Sequence, residues 1–169
     1  TQMTNFVATG VKTIADGAFS GCTSLSSIDL TNVESIGVNA FENCKMTNIT
    51  LSAATSLPAG AFKGATGGLV TLDNVTSIAK NSLALSEKST IMMKKVATID
   101  VCAFISDDYA SLAKSTNKNV PTIVNCLNFN LIVNTAQAGV NGNSIDLTVT
   151  EDDKTYYFRL QFGSIVKAF

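Results

Sequence analysis

The sequence predicts a repeat solenoid: an α/β-type repeat with parallel stacked strands, about five coils of 21–22 residues, closed by a small antiparallel β segment. Three observations predict it. A small-Phe dipeptide returns at an almost constant interval. Aliphatic residues keep fixed offsets from it. After residue 128 the apolar pattern switches to strict alternation.

Ala18-Phe19, Ala40-Phe41, Ala61-Phe62, Ser82-Leu83 and Ala103-Phe104 are spaced by 22, 21, 21 and 21 residues. Five residues before each aromatic or Leu lies Ile14, Ile36, Leu57, Ile78 or Ile99, and three before those lies Val11, Val33, Ala54, Val75 or Val96. A small Ala before Phe predicts a tight helical turn, with Phe filling the interior. Each turn is followed by an apolar pair: Ile28-Asp29-Leu30, Ile49-Thr50-Leu51, then a weaker Leu72-Asp73-Asn74, then Ile91-Met92-Met93. The same phase gives Phe6-Val7-Ala8, so the chain, starting at Thr1, is expected to open mid-coil. Such a unit cannot bury its own apolar face, but a stack of them can. Stacking would set the strands about 4.8 Å apart in a parallel sheet.

Beyond Phe104 the pattern changes. Ser106 with Asp107 and Asp108 predicts a short helix to about Lys114. STNKN (115–119) reads as a loop, and Thr122-Ile123-Val124 after Pro121 as a strand. Phe129/Leu131/Val133, Ile145/Leu147/Val149 and Phe158/Leu160/Phe162 each mark one strand face, with GVNGNS (139–144) and EDDK (151–154) as hairpin turns. The expected division is residues 1–119 as solenoid and 120–169 as a β-rich cap over its open end, or else a small separate segment. A cap fits the need to cover the edge of a stacked sheet.

Composition removes several function classes. Hydrophobic residues make up 46% and charged residues 15%, which excludes a disordered chain. At 169 residues a folded chain buries roughly 70% of its unfolded surface. Net charge is −1, and the one tight basic cluster is Lys94-Lys95, which argues against nucleic acid. His is absent, so there is no Ser-His or Cys-His dyad. No C-x-x-C pair suggests zinc, and Asp152-Asp153 does not fit a calcium loop. Thr66-Gly67-Gly68 is not a phosphate loop. The expectation is a non-enzyme without metal or cofactor. No apolar run approaches the ~20 residues that span a bilayer, so direct membrane insertion is not expected. No signal peptide is legible at the start.

VKTIADGAFSGCTSLSSIDL (11–30) and VESIGVNAFENCKMTNITL (33–51) resemble the BspA-like leucine-rich repeats of bacterial surface proteins. The resemblance covers residues ~6 to ~112 and makes the predicted solenoid a leucine-rich-repeat one. It implies a secreted or cell-surface location and adhesion or binding roles. The implied partner is a host protein, another bacterial surface protein or a glycan.

Candidate site residues come from the outward positions of the strands. Ser27, Asp29, Thr31, Asn48, Thr50, Ser52, Thr71 and Asp73 form a polar face able to hydrogen bond a partner. The same pattern also describes a solvated sheet face that only keeps the protein soluble, in which case the chain is a spacer or stalk. Cys22 and Cys44 stand one coil apart, within the ~5 Å Cα separation a disulfide tolerates. They also fit as buried thiols, because Ala65 and Ser86 hold the same place later. Cys102 and Cys126 fall outside that register. Asn48-Ile49-Thr50 and Asn74-Val75-Thr76 match a glycosylation sequon, expected to be silent in a bacterial protein.

Overall fold

Ile28, Ile49, Val70 and Ile91 succeed one another at 21-residue steps, and the fold turns that interval into lateral register. The computed structural model describes residues 3–7 and 10–169, so Thr1 and Ala8 lie outside it. Along one side run β1 (Asn5–Phe6), β3 (Ser27–Ile28), β5 (Asn48–Leu51), β7 (Leu69–Leu72) and β9 (Ser89–Met93). Along the other run β2 (Thr13–Ile14), β4 (Ser35–Ile36), β6 (Ser56–Leu57), β8 (Ser77–Ile78) and β10 (Thr98–Ile99). Each coil returns to the same side before its next strand, so neighbours pair in parallel.

Ile49 pairs with Val70 and Val70 with Ile91, while Leu51 pairs with Leu72 and Leu72 with Met93. All six side chains are fully buried. Each such burial contributes roughly 1.5–3 kcal/mol before the entropy of ordering is counted. The pairing corrects the expected third apolar pair at Leu72-Asp73-Asn74. The inward pair is Val70 and Leu72, and Asp73 lies one residue beyond β7.

The Ala-Phe segments are turns, not helical turns, and this corrects the α/β expectation. Gly17, Asn39, Gly60 and Asn81 have φ of 62, 53, 64 and 56°, and Gly21, Asn43 and Gly64 have 73, 58 and 68°. Left-handed backbone, at two points in each of the first three turns and at one in the fourth, stops helix propagation, and Gly and Asn tolerate it best. The freed amides bond across coils. Phe19 N donates to Ala40 O at 2.8 Å, Phe41 N to Ala61 O at 2.8 Å, Phe62 N to Ser82 O at 3.0 Å and Leu83 N to Ala103 O at 2.9 Å. Inside, Phe19 stacks on Phe41 and Phe41 on Phe62, each at 5.2 Å between ring centroids.

Residues 106–114 hold only a 3-10 turn, Tyr109–Ser111, and the Asp108 side chain makes no capping bond. The expected helix is therefore corrected to a single turn. Then β11 (Thr122–Val133), β12 (Val140–Asn141), β13 (Ser144–Glu151) and β14 (Lys154–Lys167) join the coil strands in one seven-stranded sheet, in order β12-β13-β14-β11-β9-β7-β5. The expected all-antiparallel closing segment is corrected here. β11 runs parallel to β9 through Phe129–Val133 and parallel to β14 on its other side. Only β12, β13 and β14 alternate in direction. β11 enters as the next coil strand would, and the β13–β14 hairpin folds back onto its free edge. Asp152 and Asp153, at φ 49 and 58°, make the two-residue turn of that hairpin. One hydrophobic cluster runs from Ile14 through Phe104 to Leu131, Leu160 and Phe162.

Candidate functional site

The sheet is interrupted between β3 and β5. β3 pairs with β1 in a separate two-stranded sheet, and β5 is the last strand of the large one. Thr47 N donates to Ser26 O at 3.2 Å across the gap. A concavity of about 400 Å³ lies there, lined among others by Ser27, Asp29, Thr31, Asn48 and Thr50. Five of the eight predicted residues therefore meet at one groove.

Asp29 is exposed and follows β3 directly. Its Oδ1 accepts from the Thr31 hydroxyl at 2.6 Å and from Thr31 N at 3.0 Å. Those two bonds, the hydroxyl first, hold its carboxyl below the usual carboxylate range. Asp29 thus presents a fixed negative charge, with Oδ2 making no hydrogen bond among the described residues. Ser27, Asn48 and Thr50 are exposed beside it.

The other three residues lie elsewhere. Thr71 stands beside Thr50 in register, but its hydroxyl points to Met92 Sδ at 3.9 Å. Asp73 is half-buried and accepts from the Ser52 hydroxyl at 2.7 Å. Lys94 Nζ lies 2.6 Å from Asp73 Oδ1, an ion pair whose angles fall outside hydrogen-bond geometry. Lys94 and then Ser52 lower the Asp73 pKa. The Ser52–Asp73 hydrogen bond and the Asp73–Lys94 ion pair tie three successive coils. Asp73 was expected to sit like Asp29 because both follow an apolar residue, but Thr71 holds the position equivalent to Asp29.

The outward face also changes character across the sheet. One lateral row across the sheet reads Thr50, Thr71, Met92, Ile132, Val166. It passes from hydroxyls to apolar side chains, and Val166 is 54% exposed.

A further concavity of about 530 Å³ lies on β13, β14 and the 115–119 loop, lined among others by Lys118, Asn119, Asp146, Tyr157 and Arg159. Arg159 Nε and Nη2 donate to the two Asp146 oxygens at 2.6 and 2.7 Å. No candidate residue was read there. The signal was available, because a two-residue turn at Asp152-Asp153 sets Asp146 opposite Arg159.

All four cysteines are free, so Cys22 and Cys44 are not joined. Cys44 Sγ donates to Phe19 O at 3.0 Å. Burial pushes Cys44 and Cys102 up to about 11 and Cys126 to about 12, which leaves them inert as nucleophiles near neutral pH. Among the described residues no group of three or more His, Cys, Asp or Glu is placed to hold a metal.

The BspA type leucine rich repeat region matches residues 1–111, in six copies. The chain belongs to this family. No curated protein and no solved structure matches it. BspA-type leucine-rich repeats are in general non-catalytic protein-interaction scaffolds, typical of bacterial surface proteins. The groove between β3 and β5 lies inside the BspA-type stretch, and the concavity around Arg159 lies outside it. No helix among the described residues is long and apolar enough to cross a membrane.

Proposed function

We propose that this chain is a binding module of a bacterial surface protein, secreted or held at the cell surface, and that it docks a partner protein at the groove between β3 and β5. Its working parts are five coils, with residues 1–119 as solenoid and 120–169 as the cap of their open end. It performs no catalysis.

One observation carries this assignment: the sheet opens where the exposed polar residues converge. Along β5, β7 and β9, on the same side of the coils, the backbone amides of neighbouring strands are used in the ladder. At the groove, Asp29, Ser27, Asn48 and Thr50 surround strands that pair with each other through a single bond. A partner offering a basic side chain and backbone amides would find a carboxylate already oriented by Thr31. Affinity would come from modest hydrogen bonds spread over a standard-sized patch.

The test is surface plasmon resonance of the chain against immobilised extracellular-matrix and bacterial surface proteins. An Asp29→Lys/Thr50→Lys variant and an Asp73→Asn variant run in parallel. Saturable binding lost in the folded first variant and kept in the second supports the groove. Binding unchanged in the first variant removes the assignment. A folded chain that binds nothing in the panel would instead favour the spacer function, in which the exposed face has no ligand of its own.

A further inference from the structure

We propose that the concavity on β13 and β14 is a second binding site, and that it takes a carboxylate-bearing sugar. It is independent of the groove between β3 and β5.

The site is built by alternation. Phe158 and Leu160 on β14 are buried in the core, so Tyr157 and Arg159 face outward. Register sets Thr148 beside Tyr157 and Asp146 beside Arg159. The loop that supplies Lys118 and Asn119 is fixed against the same face. Tyr157 N donates to Ser115 O at 2.9 Å, the Ser115 hydroxyl donates to Val120 O at 2.6 Å, and Asn119 N donates to Asn117 Oδ1 at 2.9 Å. Loop and sheet are thus held together before any ligand arrives, which lowers the ordering cost of binding.

The groups on this face match a sugar acid. Arg159 spends Nε and Nη2 on Asp146, and Nη1 makes no hydrogen bond among the described residues. Lys118 pairs with no carboxylate among them. The concavity therefore holds two cations against one carboxylate, and the surplus positive charge calls for an anionic ligand. Asp146 stays ionised because Arg159 lowers its pKa, so it remains an acceptor for ligand hydroxyls. Thr148 and Asn119 add hydroxyl and amide groups, and Tyr157 offers a ring to the C–H face of a pyranose. At about 530 Å³ the space suits a small ligand. An uncharged sugar would leave the surplus cation unanswered. A plain acidic peptide would leave the hydroxyl acceptors unused.

The full chain, labelled with 15N, is titrated with a glucuronate–N-acetylglucosamine disaccharide, and with lactose and a Glu-containing tripeptide as comparisons. The expected result is saturable shifts centred on Thr148, Tyr157 and Arg159 with the acidic disaccharide, and weaker binding of the other two. Lys118→Ala, an exposed loop change that leaves the fold intact, should weaken that binding about fivefold. Asp29→Lys should leave it unchanged. No saturable shifts, equal binding of lactose or of the peptide, or shifts centred on the β3–β5 groove would each overturn the proposal.

Discussion

Asn81 Nδ2 donates to Ile105 O at 2.6 Å, and also to Asp107 O at 3.0 Å, from a buried side chain whose own backbone sits at φ 56°. One residue thus answers two needs. It adopts the left-handed turn, and it satisfies the carbonyls of the last coil, where the helix expected from Ser106 does not form. Asn81→Ala should cost about 2–4 kcal/mol, from strain plus part-buried carbonyls left without their donor. Asn81→Gly keeps the backbone and should cost about 1–2 kcal/mol. Urea unfolding of both separates the terms. Equal losses would show that the bonds alone matter at this position.

The Phe stack gives a graded prediction. Phe41 is fully buried between Phe19 and Phe62. Phe41→Ala should cost about 3–5 kcal/mol. Phe41→Leu should cost under about 1.5 kcal/mol, because Leu83 already fills the same position two coils on. Thermal unfolding of the pair checks it, and a Leu variant as damaged as the Ala one would deny the equivalence of the coils.

The thiols should be silent in the native protein. With Cys44 and Cys102 at about 11 and Cys126 at about 12, thiolate at pH 8 is on the order of a thousandth or less of each. An aromatic disulfide reagent at pH 8 should therefore leave these three unmodified for hours. In denaturant all four cysteines should react. Mass spectrometry of alkylated peptides distinguishes the sites.

Asp146 supplies a pH prediction. Arg159 beside it lowers the folded pKa, so its stabilisation is present above the unfolded carboxylate value of roughly 3.9 and is lost as pH falls through the folded value. Both side chains are partly solvent-exposed, so screening limits the contribution to about 0.2–1 kcal/mol. Asp146→Asn should be less stable than the parent at pH 7. The gap should narrow as pH falls through the folded value. A gap that stays constant would mean the carboxylate's charge is not the cause.

The coil period was legible because burial enforces it. Phe19, Phe41 and Phe62 need one another's faces, so their spacing is written in the chain. The turn chemistry was legible too, in the Gly or Asn at positions 17, 39, 60 and 81. Setting Ala-Phe alone at the centre hid it. Asp107 and Asp108 misled because acidic residues suit a helix start and an exposed loop equally. The β3–β5 groove collected Ser27, Asp29, Thr31, Asn48 and Thr50 because their outward phase is local. Asp73 fell away since its place depends on which of Val70 and Leu72 leads the inward pair, and local alternation does not decide that. The parallel sense of β11 and β14 depends on contacts between distant segments, and no spacing inside either strand records it.

The sheet order also governs how the chain can fold as it is made. Each coil docks on the one synthesised just before it, so the repeat part can grow vectorially from short loops. β14 behaves differently, since it slots between β11 and β13, both of which precede it in the chain. Until β14 is made, the β11 edge that pairs with Phe158–Phe162 and Ser164–Lys167 is bare. That interval is when a nascent chain is most exposed to wrong pairing with a neighbouring copy.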